Sequence, residues 1–263
     1  MKAFTTLLIT DAAPQVRLVM MNRPDSANAL NTQMAWDLLE YFEDFALSPG
    51  YCRCIVLTGT GARTFCAGGD LRERNGMSNE VWDRQHLIFE RMIRALIACP
   101  VPLVGAINGA AFGGGSQIAL TCDFLYAADT ARFAFPEVSL GIMPGCGGTQ
   151  LLSRAVGERR AKELILTSRS FTADQAEQWG MVNRVLPAAQ LMERSLEAAS
   201  AIAANAPLSV MQAKRSIHHG LQMSLADALA FEIEAYNRLV PTEDRKEGVL
   251  AFNEKRSPIF YGR

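Results

Sequence analysis

The first apolar residues of the chain fall in two short runs, Thr6–Ile9 and Val16–Met21, on either side of the polar stretch Asp11–Gln15. Runs of that length bounded by polar residues predict strands. Asn22-Arg23-Pro24 then breaks the pattern, and Asn28-Ala29-Leu30-Asn31 leads into a different period. Met34, Leu38, Tyr41, Phe42 and Phe45 recur at helical spacing, with Asn31 placed to cap the helix and Pro49-Gly50 to end it. Cys54–Leu57 reads as a strand, and the polar residues 72–79 predict a mobile loop. Val81–Ala98 predicts a helix with Leu87, Met92, Ile93, Leu96 and Ile97 on its inner side. Leu103–Ile107 predicts a buried strand, Ser116–Thr121 a short helix, and Asp123–Ala128 and Arg132–Phe135 two further strands. From Thr149 the pattern is helical: Gln150–Val156, Arg159–Thr167, and Thr172–Trp179, which opens with the Thr-x-x-Gln form of a capping box. A turn and short strand over residues 180–185 precede Leu191–Ala204, a helix from Pro207, Leu225–Leu239 and Glu243–Lys255. Strands alternating with helices predict an α/β fold with a mixed or parallel sheet. The change to an all-helical pattern divides the chain into a core, residues 1–190, and a C-terminal helical module, residues 191–263.

Composition narrows the function classes. The 263 residues are 49% hydrophobic, enough for a sizeable core. A formal net charge of −1 offers nucleic acid no electrostatic attraction, and Gln33–Phe45 in the first helix carries no lysine. No apolar run has the length of a membrane span, and no basic region followed by an apolar stretch opens the chain, so a cytoplasmic protein is expected. The six cysteines are scattered in apolar or glycine-rich contexts; Cys52-x-Cys54 is not a metal spacing and has no second pair. Reduced, structural thiols and no metal site are expected.

Two glycine-rich turns carry the chemistry. Ile55–Gly59 leads to Ala67-Gly68-Gly69-Asp70, and Val104–Ile107 leads to Gly113-Gly114-Gly115 at the start of a helix. Each such turn frees backbone N–H groups, and two of them can aim at a common oxygen. Neither is a phosphate loop, since no lysine follows the glycines. Asp70 either takes part in the chemistry or caps the helix from Leu71. No nucleophile elbow is present, and His86, His218 and His219 lie in helices beside charged residues, which predicts solvated faces. Glu137 is the isolated carboxylate: Phe135-Pro136 precede it and Val138 follows. Burial there would raise its pKa, which suits a group that both takes and returns a proton.

Several segments resemble the enoyl-CoA hydratase/isomerase family of the crotonase superfamily. They are Gly114-Gly115-x-Gln117-x-Ala119-Leu120-x-Cys122-Asp123, Phe135-Pro136-Glu137, Leu140-Gly141-Ile142-x-Pro144-Gly145 and Gly147-Gly148-Thr149-Gln150. Asn22-Arg23-Pro24, Asn28-Ala29-Leu30, Ala67–Leu71 and the Ala251–Arg256 region are similar to its other landmarks, in the same order. The resemblance implies a crotonase-like spiral of ββα units with a C-terminal helical trimerisation module, assembled as a homotrimer or a dimer of trimers. It implies an acyl-CoA thioester substrate and no cofactor beyond the coenzyme A that the substrate carries. It implies that Gly69 and Gly114 hold the thioester oxygen, that Ala27, Ala67 and Asp70 meet the adenine end of coenzyme A, and that Tyr236 and Lys255 contact its phosphate or adenine. The family's hydratases use two glutamates. Glu137 matches the second, but Gln117 stands at the first, and an amide can hold a water or a carbonyl without taking its proton. Hydration and double-bond isomerisation are therefore both open, beside decarboxylating or carbon–carbon bond-forming chemistry and a silent coenzyme A-binding homologue. The Gly69–Met77 loop is similar to that of methylglutaconyl-CoA hydratases.

Overall fold

The computed structural model describes residues 2–263. Its chain begins with a hairpin, β1 (Leu7–Ala13) and β2 (Val16–Met21), followed by α1 (Thr32–Leu47). Asn31 caps α1 as expected, its side chain accepting the Met34 N–H at 2.9 Å. A strand–strand–helix unit then repeats. The first comprises β3 (Cys54–Gly59), β4 (Thr64–Cys66), the one-turn α2 (Leu71–Arg74) and α3 (Asn79–Ile97). The second comprises β5 (Leu103–Ile107), β6 (Ala110–Phe112) and α4 (Gly114–Ala119). The third comprises β7 (Phe124–Ala128), β8 (Arg132–Ala134), α5 (Gly148–Val156) and α6 (Glu158–Thr167). β9 (Phe171–Thr172), α7 (Ala173–Gln178) and β10 (Arg184–Leu186) complete the strands, and α8 (Leu191–Ala203), α9 (Pro207–Gly220), α10 (Leu225–Asn237) and α11 (Glu243–Glu254) end the chain.

The long strands form one sheet in the order β1-β2-β3-β5-β7-β10, parallel from β2 onward. The short ones form a second sheet, β4-β6-β8-β9. Every residue of β3 and β5 is buried, which is why their sequences are continuous apolar runs instead of alternating ones. Of the second sheet the sequence predicts only β8, as Arg132–Phe135; β4, β6 and β9 are two or three residues long and show no period.

Three expectations are corrected. Leu87 is 60% exposed, and Gln85, Phe89, Met92, Ile93 and Leu96 form the inner face of α3. Leu87 lies two residues from both Gln85 and Phe89, roughly 200° around the helix from each. The segment 72–79 is not a free loop. Asp70 caps α2 through the Arg72 and Glu73 N–H groups, and Glu73 accepts the Thr32 N–H at 2.9 Å. Finally, α8 follows the expected division at residue 190 yet packs on the large sheet, with Leu191, Ser195, Ala199 and Ala203 buried. Small residues at four-residue intervals let it approach the strands closely. The helices that stand off the sheet begin at α9, which buries no residue completely, and α10, which buries only Ala235.

Asn28 holds the entry to the first glycine loop. It is fully buried, with φ +51°. Its Oδ1 accepts the Arg23 N–H at 2.9 Å, and its Nδ2 donates to the Thr60 and Thr64 carbonyls at 2.9 and 3.0 Å. Asn28→Ala removes the side-chain partner of the part-buried Arg23 N–H and Thr60 carbonyl and leaves the Thr64 carbonyl only a long bond from Asn108 at 3.4 Å, where an unmet buried group costs about 1–3 kcal/mol. We expect a loss of about 2–4 kcal/mol in urea unfolding, seen as a lower midpoint at constant slope.

Candidate active site

The two glycine loops meet beside one cavity. In the first loop, the Leu30 N–H donates to the Gly68 carbonyl at 2.8 Å and the Leu30 carbonyl accepts the Asp70 N–H at 3.0 Å. These bonds turn Gly68 O and Asp70 N toward Leu30, so the Gly69 N–H between them points the other way, to the cavity that Gly69 lines. In the second loop, Gly113 at φ +49° donates its N–H to the Ala134 carbonyl, and Gly114 begins α4, where an N–H has no helical partner. Among the described residues neither the Gly69 nor the Gly114 N–H has a backbone partner. The loops touch: a Cβ on Gly114 would lie 3.7 Å from the Gly69 nitrogen, and a Cβ on Gly68 would press on the Phe112 carbonyl. Only glycine at position 68 permits that approach.

Glu137 faces the same cavity from a 3-10 turn over Glu137–Leu140 that follows Pro136. It is 7% exposed, and Gln117 beside it is 2% exposed. The Gln117 Oε1 accepts two backbone N–H groups, from Cys146 at 2.7 Å and Gly148 at 2.9 Å. Backbone N–H groups can only donate, so the amide has one possible orientation. Its Nε2 therefore faces Glu137 and donates to Oε1 at 2.7 Å. Glu137 Oε1 must accept, which places any proton of this carboxyl on Oε2. That oxygen is buried and has no partner. Burial pushes the Glu137 pKa above its usual value, against the opposing pull of its own backbone N–H and of Gln117. The carbonyl of Gln117 is thus spent on the fold.

The family model for enoyl-CoA hydratase/isomerase matches residues 11–263. The chain belongs to this family. It is 39% identical to the short-chain-enoyl-CoA hydratase of Clostridium acetobutylicum over 95% of both chains. It is also 39% identical to the 2,3-dehydroadipyl-CoA hydratase of Escherichia coli, covering 97% of this chain and 99% of that one. The crystal structure of an enoyl-CoA hydratase from Bacillus anthracis superposes with a TM-score of 0.96 at 38% identity, over 98% of this chain and all of the other. The repeated strand–strand–helix turns are thus the crotonase spiral, followed by a helical C-terminal region.

Within this family member the expected site residues divide into two groups. Glu137, Gln117, Gly69, Gly114 and Ala67 line the cavity, whose volume is about 530 Å³. Ala27 and Asp70 line an adjoining hollow of about 340 Å³ that shares Gly69 and Leu71 with it. The Asp70 carboxylate is largely occupied. It caps α2 and pairs with Arg23 at 2.9 Å, and these bonds outweigh burial and hold its pKa below the usual value. Tyr236 on α10 and Lys255 after α11 line neither space.

Two residues missed in the sequence reading also line the cavity, His86 and Arg74. His86 is not on a solvated face: a Cβ on Gly145 would sit 2.5 Å from its ring. The signal available was the face that Trp82, Gln85, His86 and Phe89 share on α3, with Phe89 in the core. Arg74 lies over Trp82 and Phe89, at 4.3 and 5.2 Å from the ring centres. Cys146, whose N–H helps hold Gln117, has its thiol pushed up to about 12 by burial and is neutral near pH 7.

The raised Glu137 pKa fixes a pH dependence of stability. The folded state holds this proton more tightly than the unfolded state, so the contribution is fully favourable below the ordinary value of 4.5 and is lost as pH rises through the folded value. Glu137→Gln removes an ionisable group that is costly to bury near neutral pH and keeps the bond from Gln117. The variant should therefore gain thermal stability over the wild type at pH 7, and the gain should shrink toward pH 4. Melting curves at both pH values test this.

Proposed function

We propose that this protein acts on an enoyl-CoA thioester, with Glu137 as the carboxylate that moves a proton along the acyl chain. The observation that supports this most directly is that Glu137, whose Oε2 has no partner, lines the same cavity as Gly69 and Gly114, whose N–H groups have no backbone partner. In this reading the two N–H groups form an oxyanion hole. They hold the thioester oxygen and strengthen their grip as negative charge grows on it in the enolate, where such donors contribute most. Glu137 Oε2 takes a proton from one carbon and returns it at another. Gln117 holds Oε1, so the carboxyl presents a single oxygen in a defined direction. These residues suffice for double-bond isomerisation, which needs one shuttle. The hydratase names of the relatives favour a second reading, hydration. There Glu137 would serve the α-carbon and Gln117 would not activate the water. The adenine end of coenzyme A would lie along the hollow at Ala27 and Asp70. Tyr236 and Lys255 line neither space in their own chain, so their contact with it would come from a neighbouring copy.

Turnover of crotonyl-CoA and of a 3-enoyl-CoA by wild type, Glu137→Gln and Gln117→Glu tests this reading. Glu137→Gln should lower either activity by about 10²–10⁴, the usual worth of a general acid–base group. In Gln117→Glu a carboxylate oxygen would lie close to Glu137 Oε1, and the pair would share a proton as hydratase pairs do. Hydration should rise relative to isomerisation. Full activity of Glu137→Gln on both thioesters would remove the proposal.

An oligomer accompanies it. Leu229, Ile233 and Tyr236 on α10 and Val249, Leu250 and Phe252 on α11 are all more than 45% exposed. Apolar surface of this extent on off-sheet helices fits burial between subunits. Light scattering should give a trimer or hexamer at micromolar concentration, and Ile233→Asp should reduce the mass. A stable wild-type monomer would count against the assembly.

A further inference from the structure

We propose that one wall of the cavity is an anion subsite, in which Arg74 receives a carboxylate at the far end of a short acyl chain. The inference rests on the acyl-CoA reading above and narrows it to acyl groups that end in a negative charge.

Arg74 is half-buried and oriented by its surroundings. Its Nε donates to the Gln85 Oε1 at 2.8 Å, and Trp82 and Phe89 lie under the guanidinium plane. Gln85 is itself fixed, donating to the Thr32 hydroxyl and to Glu73, both at 2.8 Å. With Nε engaged, one fork remains, formed by Nη1 and Nη2. Among the described residues neither nitrogen has a hydrogen-bond acceptor, and Arg74 takes part in no ion pair. A guanidinium stays charged at any ordinary pH even though burial weakens it. The site therefore contains a rigid, aromatic-backed cation whose fork suits a carboxylate.

The neighbouring charges do not supply its partner. Glu73 is near enough for its charge to favour the Arg74 guanidinium, but its Oε2 accepts the Thr32 N–H and Gln85, and it forms no ion pair with Arg74 among the described residues. Asp83 lines the cavity from an exposed position, and Glu137 receives Gln117 instead. Position gives the chain length. A Cβ on Gly69 would lie 3.2 Å from Arg74 Nη1, so the fork is a short reach from the N–H assigned to the thioester oxygen. An acyl chain with about three methylenes between thioester and carboxylate spans such a gap.

Calorimetric binding of glutaryl-CoA, its methyl ester and butyryl-CoA tests the inference without depending on turnover. Glutaryl-CoA is butyryl-CoA with a terminal carboxylate, and the ester keeps its size without the charge. Wild type should bind glutaryl-CoA about ten- to a hundredfold more tightly than the other two, the range of a hydrogen-bonded charge pair. Arg74→Met, which keeps the stem over the aromatic rings, should erase the difference, and Arg74→Lys should restore part of it. Equal binding of the three thioesters by wild type would overturn the inference and leave the acyl-CoA reading standing, and that comparison needs no folded variant. Equal weakening of all three by Arg74→Met would also overturn it, showing an arginine that serves the thioester oxygen or the fold. Failure of every coenzyme A thioester to bind would refute the acyl-CoA reading and this inference together.

Discussion

The site depends on the pair of backbone N–H groups, from Cys146 and Gly148, that hold the side-chain carbonyl of Gln117. A neutral amide has two ends of opposite character, and fixing one fixes the other. Because the carbonyl is committed to the backbone, the NH₂ must face Glu137, and because it faces Glu137, one carboxylate oxygen is an obligatory acceptor. The other is left buried and unpaired. Orientation and protonation site descend from that arrangement, while the raised pKa comes from burial, against the pull of Gln117. Gly148 is part of it, since a Cβ there would overlap the Gln117 side chain at 2.9 Å.

A buried carboxyl oxygen without a partner lowers stability, and the surrounding fold has to be stable enough to tolerate it. The repeated units supply that stability. The first two each end a fully buried parallel strand and a short strand of the second sheet just before a glycine turn, so the two turns arrive side by side on a rigid frame. Leu30 and Asn28, from the segment before α1, bind the first turn and its approach from the side. The floor of the cavity, where charge would develop, is made of backbone and locked side chains.

The opposite wall has a different construction. It comes from α2 and α3, and its groups are long side chains: Arg74 stacked on Trp82 and Phe89, and His86 against Gly145. The wall still touches the floor, since Arg74 lies against Gly69 and His86 against Gly145, next to the Cys146 N–H that holds Gln117.

Much of this was legible in the sequence. The α/β class, the cap at Asn31, the capping box at Thr172, both glycine loops and Glu137 all follow from local chemistry, because periodicity, caps and turns act over a few residues. The family was legible too, since its landmarks are glycines and a glutamate in fixed local strings. The second sheet was not, apart from β8, because strands of two or three residues have no period. Neither was the packing of α8 on the sheet, nor the inward turn of His86 and Arg74, because those depend on which distant element each residue meets. The role of Gln117 shows the division most clearly. The sequence by itself determined that an amide stands beside a carboxylate. Only the tertiary structure decided which end of the amide faces it, because the donors that choose come from residues 146 and 148, a separate turn that folding brings alongside.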